Sequence, residues 1–207
     1  LFSKAGIMRC NSRSELVTVG SILMYPRPKG KRVAIITHAG GPAVMLTDIL
    51  SSNGLEIPSF SGAKAELLLS QLYPGSSVAN PIDFLATGTA DQLSAIIDSC
   101  QTDFDVDSMA VIFGSPGLTS VYDVYNILLE KIKTSAKPIY PILPSIVNVK
   151  EEIAQFKEKG GISFSDEVTF GSALAKVLAV DLPESEIELP PVDHKLLRKI
   201  INNSSNG

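Results

Sequence analysis

The chain has 207 residues, 44 % hydrophobic and 19 % charged, enough apolar material for one sizeable core or for one domain with a short appendage. Its net charge of −4 leaves no cationic excess to neutralise a nucleic-acid backbone or an anionic membrane, so neither is expected as a partner. Cys10 and Cys100 form neither a CxxC pair nor a secreted disulfide framework, and no apolar run reaches the roughly 18 residues of a membrane span. No signal-peptide pattern opens the chain either, and the expectation is a cytoplasmic protein. The first residue is Leu1, and the opening residues read like the end of a helix already under way, which suggests a piece of a longer protein.

In chain order, Ser12 with Glu15 three residues later makes a capping-box pattern ahead of Leu16, Val17, Ile22, Leu23 and Met24, predicting a helix over 12–25. Pro26, Pro28 and Gly30 break it. Residues 32–37 are a nearly continuous apolar run, typical of a strand buried on both faces of a parallel sheet. A glycine turn and a helix over 42–50 follow, then a short strand at 55–57 and a helix over 63–72 stopped by Pro74 and Gly75. Asn80-Pro81-Ile82-Asp83 reads as a turn. Beyond it come a helix over 89–100, a strand over 108–113, a loop at 114–117, a helix over 121–133 and a strand over 138–143. A helix over 149–159, a strand over 162–164 and a helix over 167–180 complete the alternation. Such βα repetition with short connections predicts a doubly wound α/β domain with a mainly parallel sheet over residues 1–180. Residues 181–193, with three prolines among acidic residues, read as a linker, and 194–207 as the start of a following segment.

The strongest chemical signal is Thr37-His38-Ala39-Gly40-Gly41-Pro42-Ala43, small residues between a strand end and a helix start. Ligands collect at that position in open α/β sheets, and a helix amino end carries unpaired N–H groups and a partial positive charge. Phosphate is the expected guest, on the N–H groups of Gly40, Gly41, Ala43 and Val44. The glycines equally suit a tight turn and close helix packing. His38 is a candidate phosphoryl acceptor or general base, weighed against a hydrogen-bonded loop residue. Asn80 and Asp83 are candidates for the pocket rim or for loop architecture, with Ser115 and Thr119 as further rim contacts. Asp48, inside an apolar helix, needs a partner if buried. No metal-ligand spacing is visible.

Four segments, Phe2-Ser-Lys-Ala-Gly-Ile7, Thr37 to Pro42, Thr47-Asp48 and Asn80-Pro81-Ile82-Asp83, resemble in order and approximate spacing the nucleoside-diphosphate-forming acyl-CoA synthetases. The resemblance spans about residues 1–180 and implies the carboxyl-proximal flavodoxin-like domain of that family, related to a domain of succinyl-CoA synthetase. It further implies a ligase that interconverts acyl-CoA, ADP and phosphate with acid, CoA and ATP through a phosphohistidine, with CoA, ADP/ATP and Mg2+ bound by the parent protein. The CoA-binding and phosphohistidine-bearing domains would lie upstream, and an ATP-grasp domain downstream or on another subunit. Carried onto this chain, the phosphate-facing residues are Gly40, Gly41, Pro42 and Ala43. The family position of His38 is usually asparagine, a departure that weakens any catalytic role for it. Similar domains are also fused to protein acetyltransferases, so a regulatory module is the alternative expectation, and a domain that only mediates assembly is a third.

Overall fold

Four strands, Val33–Thr37 (β1), Ile82–Asp83 (β2), Ser108–Ile112 (β3) and Ile139–Ile142 (β4), form one parallel sheet in the order β2-β1-β3-β4. They are seen in a computed structural model that describes residues 6–115, 121–144, 148–180 and 193–204. The helices are Arg13–Leu23 (α1), Gly40–Ser52 (α2), Ala63–Leu69 (α3), Ala90–Thr102 (α4), Tyr122–Thr134 (α5), Lys150–Glu158 (α6), Glu167–Ala179 (α7) and His194–Asn203 (α8). This is the predicted doubly wound, flavodoxin-like arrangement.

The apolar runs that signalled β1 and β3 are fully buried because both faces of the sheet are covered. Strand periodicity divides each run between two cores. Ala34 and Ile36 of β1, with Met109 and Val111 of β3, face a core closed by α3, α4, α5 and α6. Val33 and Ile35, with Ala110 and Ile112, face the other, closed by α1, α2 and α7. Within that second layer α7 packs on both α1 and α2. Gly171 permits the α2 contact: a Cβ there would lie 2.5 Å from Ile49 Cγ2 and 3.1 Å from Leu46 Cδ1. Helix starts follow the cap chemistry. Ser12 accepts from the Glu15 N–H, and Thr89 with Gln92 closes a capping box at α4.

Three expectations need correction. Residues 55–57 and 162–164 form no strands; each contributes one bridge, Glu56 to Arg32 and Phe164 to Ile142. The turn at 80–83 contains β2, two residues long, paired to the carboxyl end of β1. Of the linker at 181–193, only Asp193 lies within the described residues, where it caps α8.

Two polar features of the core stand apart. At the amino edge of the sheet, the Arg32 backbone N–H and Nε both donate to Asp107 Oδ2 at 3.0 Å, and Nη2 donates to Oδ1 at 3.0 Å. This clasp ties the segment entering β1 to the one entering β3. By contrast, the fully buried Tyr140 hydroxyl has no hydrogen-bond partner among the described residues, although its ring packs against Tyr25, Phe164 and Phe170. Its desolvation is uncompensated, and burial pushes the phenol's pKa well above its usual value. Tyr140→Phe is therefore expected to be neutral or to stabilise by up to about 1 kcal/mol in urea unfolding. A loss beyond about 1 kcal/mol would show that the hydroxyl has a partner.

Candidate functional site at the carboxyl edge of the sheet

The carboxyl ends of three strands meet at Thr37, which lies opposite Asp83 of β2 on one side and Ile112 of β3 on the other. Thr37 is fully buried, and its hydroxyl both donates to the Ala39 carbonyl at 2.8 Å and accepts from the Ala39 N–H at 3.0 Å. The turn from β1 into α2 is closed by that side chain.

The start of α2 follows directly, and the donor count is smaller than the sequence suggested. The helix begins at Gly40, with Ala39 as its N-cap and Pro42 in third position. Thr37 uses the Ala39 N–H, proline has none, and the helical ladder carries the Val44 N–H back to Gly40, four residues before it. The donors that precede Pro42 in the helix are those of Gly40 and Gly41. Both glycines are exposed, whereas Ala43 turns its methyl into the core. A Cβ placed on Gly41 would meet no atom of the described residues within 4 Å, the helix's own backbone aside.

His38 stands beside this helix start. Its ring stacks on Phe113 with centroids 4.4 Å apart, and Nδ1 lies 3.4 Å from the Ile112 carbonyl oxygen. The tautomer that satisfies this contact carries its proton on Nδ1 and leaves Nε2 as the acceptor. Burial holds the imidazole below its usual pKa, against the opposing pull of the Ile112 carbonyl and the Asp83 carboxylate, which favours the neutral ring. Asp83 itself reaches toward the glycines: its Oδ2 lies 4.0 Å from the position of a Gly40 Cβ, while Oδ1 accepts from the Leu85 N–H at 3.0 Å. An anion at the α2 start would thus have a carboxylate for a neighbour.

The remaining candidates separate. Asn80 is not on the rim. Its side-chain oxygen accepts from the Ile35 N–H at 2.9 Å, and its amide donates to the Val33 and Pro58 carbonyls at 3.0 and 2.9 Å. Two of these bonds hold β1 and the third holds the segment at Pro58, and asparagine tolerates the left-handed backbone, φ 66°, from which it makes them. Asp48 is exposed and needs no partner. Ser115 follows β3 at the same sheet edge, and Thr119 lies outside the described residues.

Two aromatic residues were missed. Phe113 joins the His38 stack to Phe84 and Tyr125, and it also lines a cavity of about 530 Å³ at the starts of α4 and α5, together with Gly88, Thr89, Asp123 and Asn126. Both Phe84 and Phe113 sit at strand ends, where aromatic residues flank polar loops; that placement was the available signal.

No family model matches the chain. A search of curated proteins finds the alpha subunit of acetate–CoA ligase (ADP-forming) II from Pyrococcus furiosus, 29 % identical over 165 residues, covering 78 % of this chain and 36 % of the relative. The alpha subunit of isoform I from the same organism is 24 % identical over 162 residues, covering 77 % and 35 %. The chain is a homologue of the ADP-forming acyl-CoA synthetases. It spans about a third of the length of these synthetase subunits. Among solved structures, a Pyrococcus horikoshii protein superposes with a TM-score of 0.77 at 23 % identity, covering 86 % of this chain and 42 % of that one. A dinucleotide-forming acetyl-coenzyme A synthetase 1 from Ca. Korarchaeum cryptofilum, solved with phosphate and ADP, superposes with a TM-score of 0.74 at 22 % identity, covering 85 % and 39 %. Both share the fold. Among the described residues of this synthetase homologue, no helix is long and apolar enough to cross a membrane.

Proposed function

We propose that the chain is a phosphate-handling domain of an acid–CoA ligase that makes ATP from ADP and phosphate at the expense of acyl-CoA. In this reading the start of α2 holds the phosphoryl group of a phosphohistidine supplied by another part of the parent protein. CoA, ADP/ATP and Mg2+ are assigned to other domains or subunits of that parent. The homology to ADP-forming acetate–CoA ligase subunits supports the ligase, and one observation carries the site: Gly40 and Gly41 present two unused N–H groups at the carboxyl edge of a parallel sheet, with no side chain over Gly41. His38 is given no covalent role. Its ring is engaged between Phe113 and the Ile112 carbonyl, and the acceptor of the phosphoryl group in this reading lies elsewhere.

Gly41→Ala tests the site because structure and binding should move in opposite directions. The methyl group meets open space, and alanine favours a helix over glycine by about 1 kcal/mol, so the fold should be retained or slightly stabilised. The same methyl shields the donor, and phosphate affinity should fall roughly tenfold. Inorganic phosphate titrated into the 207-residue chain should shift the Gly40 and Gly41 amide resonances, with weaker saturation in the variant. Unmoved amides at tens of millimolar phosphate, or equal affinity in the two proteins, would remove the α2 start from the mechanism.

A further inference from the structure

Among the described residues, the faces of two helices are apolar and carry four large exposed side chains each. The side of α1 centred on Gly20 carries Leu16, Val17 and Leu23, with Met24 at its C-cap, 53–73 % exposed, beside the strip that buries Val19 and Ile22. These residues surround Gly20, where nothing would meet a Cβ, so a second helix could approach closely. The other face belongs to α8, whose Leu196, Leu197, Ile200 and Ile201 are 43–65 % exposed and which buries no residue at all. A ten-residue helix with no buried face is marginal in water, because helices of this length draw their stability from packing.

We propose that α8 folds back onto the outer face of α1. The attachment point favours this face over the smaller apolar exposures on α2 and α3. Helix α7 ends beside α1: the Lys176 ammonium donates to the Arg9 carbonyl and pairs with Glu15, and Arg27 Nη2 donates to the Val180 carbonyl at 2.6 Å. Residues 181–192 separate Val180 from Asp193, and twelve residues span at most about 40 Å. The target helix is only about 16 Å long, so the tether reaches any part of it. The two stripes match in extent, four large apolar side chains on each, and closing them removes both from water. A short tether holds α8 at an effective concentration in the millimolar range, which favours this intramolecular partner over a free one. Lys195, Arg198 and Lys199 add cations to a chain whose remainder is acidic.

Hydrogen exchange on the full 207-residue chain, at low micromolar concentration, reads the contact directly. Amides 197–203 should exchange at least about tenfold more slowly than in an unstructured peptide. Val17→Lys and Ile200→Lys, both at exposed positions, should each abolish that protection while the β1 and β3 amides stay protected. Coil-like exchange across α8 in the parent chain overturns the proposal, as does protection that survives Val17→Lys. Protection that appears only as the protein is concentrated assigns α8 to a second copy, and protection only on adding anionic vesicles assigns it to a membrane surface. Either result overturns docking on α1.

Discussion

Phe113→Ala should cost about 3–5 kcal/mol of folding stability and release His38 at the same time. The ring is 2 % exposed and lies between His38, Phe84 and Tyr125, so its removal opens a void where β3 ends and loses three ring contacts. Denaturant unfolding measures the first effect. The second is specific to this site. Burial is the largest cause of the depressed His38 pKa, and Phe113 supplies one wall of that burial. With the wall gone, the imidazole should titrate closer to the ordinary value of about 6.5, visible in the pH dependence of its ring resonances. An unchanged His38 titration in a folded Phe113→Ala protein would show that the stack does not set the imidazole's environment.

Asp107→Ala should cost about 2–3 kcal/mol, because it strips three hydrogen bonds from the Arg32 backbone and guanidinium at the opposite edge of the sheet. Asp105 also pairs with Arg32 but is far more exposed, so it replaces little of what is lost. The pH dependence follows from the same bonds. The Arg32 hydrogen bond holds the Asp107 carboxyl below the usual carboxylate range, outweighing the opposing effect of burial. A carboxylate with a depressed folded-state pKa contributes its full stabilisation above the unfolded value of about 3.9. That contribution fades as pH falls through the folded value. The parent protein and the variant should therefore converge in stability as pH falls through that folded value, and a difference that stays constant through the acid range would contradict the clasp.

Much of the fold is legible in the sequence because its signals are local. The runs at 33–37 and 108–112 announce strands covered on both faces, and Ser12 with Glu15 announces a helix start through partners three residues apart. The candidate helix start was legible for the same reason, since two glycines after a strand need no distant partner to be informative. What escaped depends on contacts far along the chain. Asn80 reads as a turn residue, yet it meets the Ile35 N–H 45 positions away. Arg32 and Asp107 are 75 positions apart, and neither stands out alone. The two-residue β2 carries no periodicity to detect, and it exists because β1 offers it an edge. The loss of the donor at Val44 depended on where α2 begins, and helix boundaries are the least certain part of a pattern-based reading.

Asn80 also bears on how this sheet avoids its own kind. Beyond β2 the flank of β1 would present bare backbone groups, the usual template for pairing with another chain. One carboxamide occupies the Ile35 N–H and the Val33 carbonyl, and the Glu56 carbonyl takes the Val33 N–H at 2.8 Å. The border of the sheet is closed by a side chain and a passing loop rather than by another strand, so a protein with so short an outer strand still offers a neighbouring molecule little to zip onto.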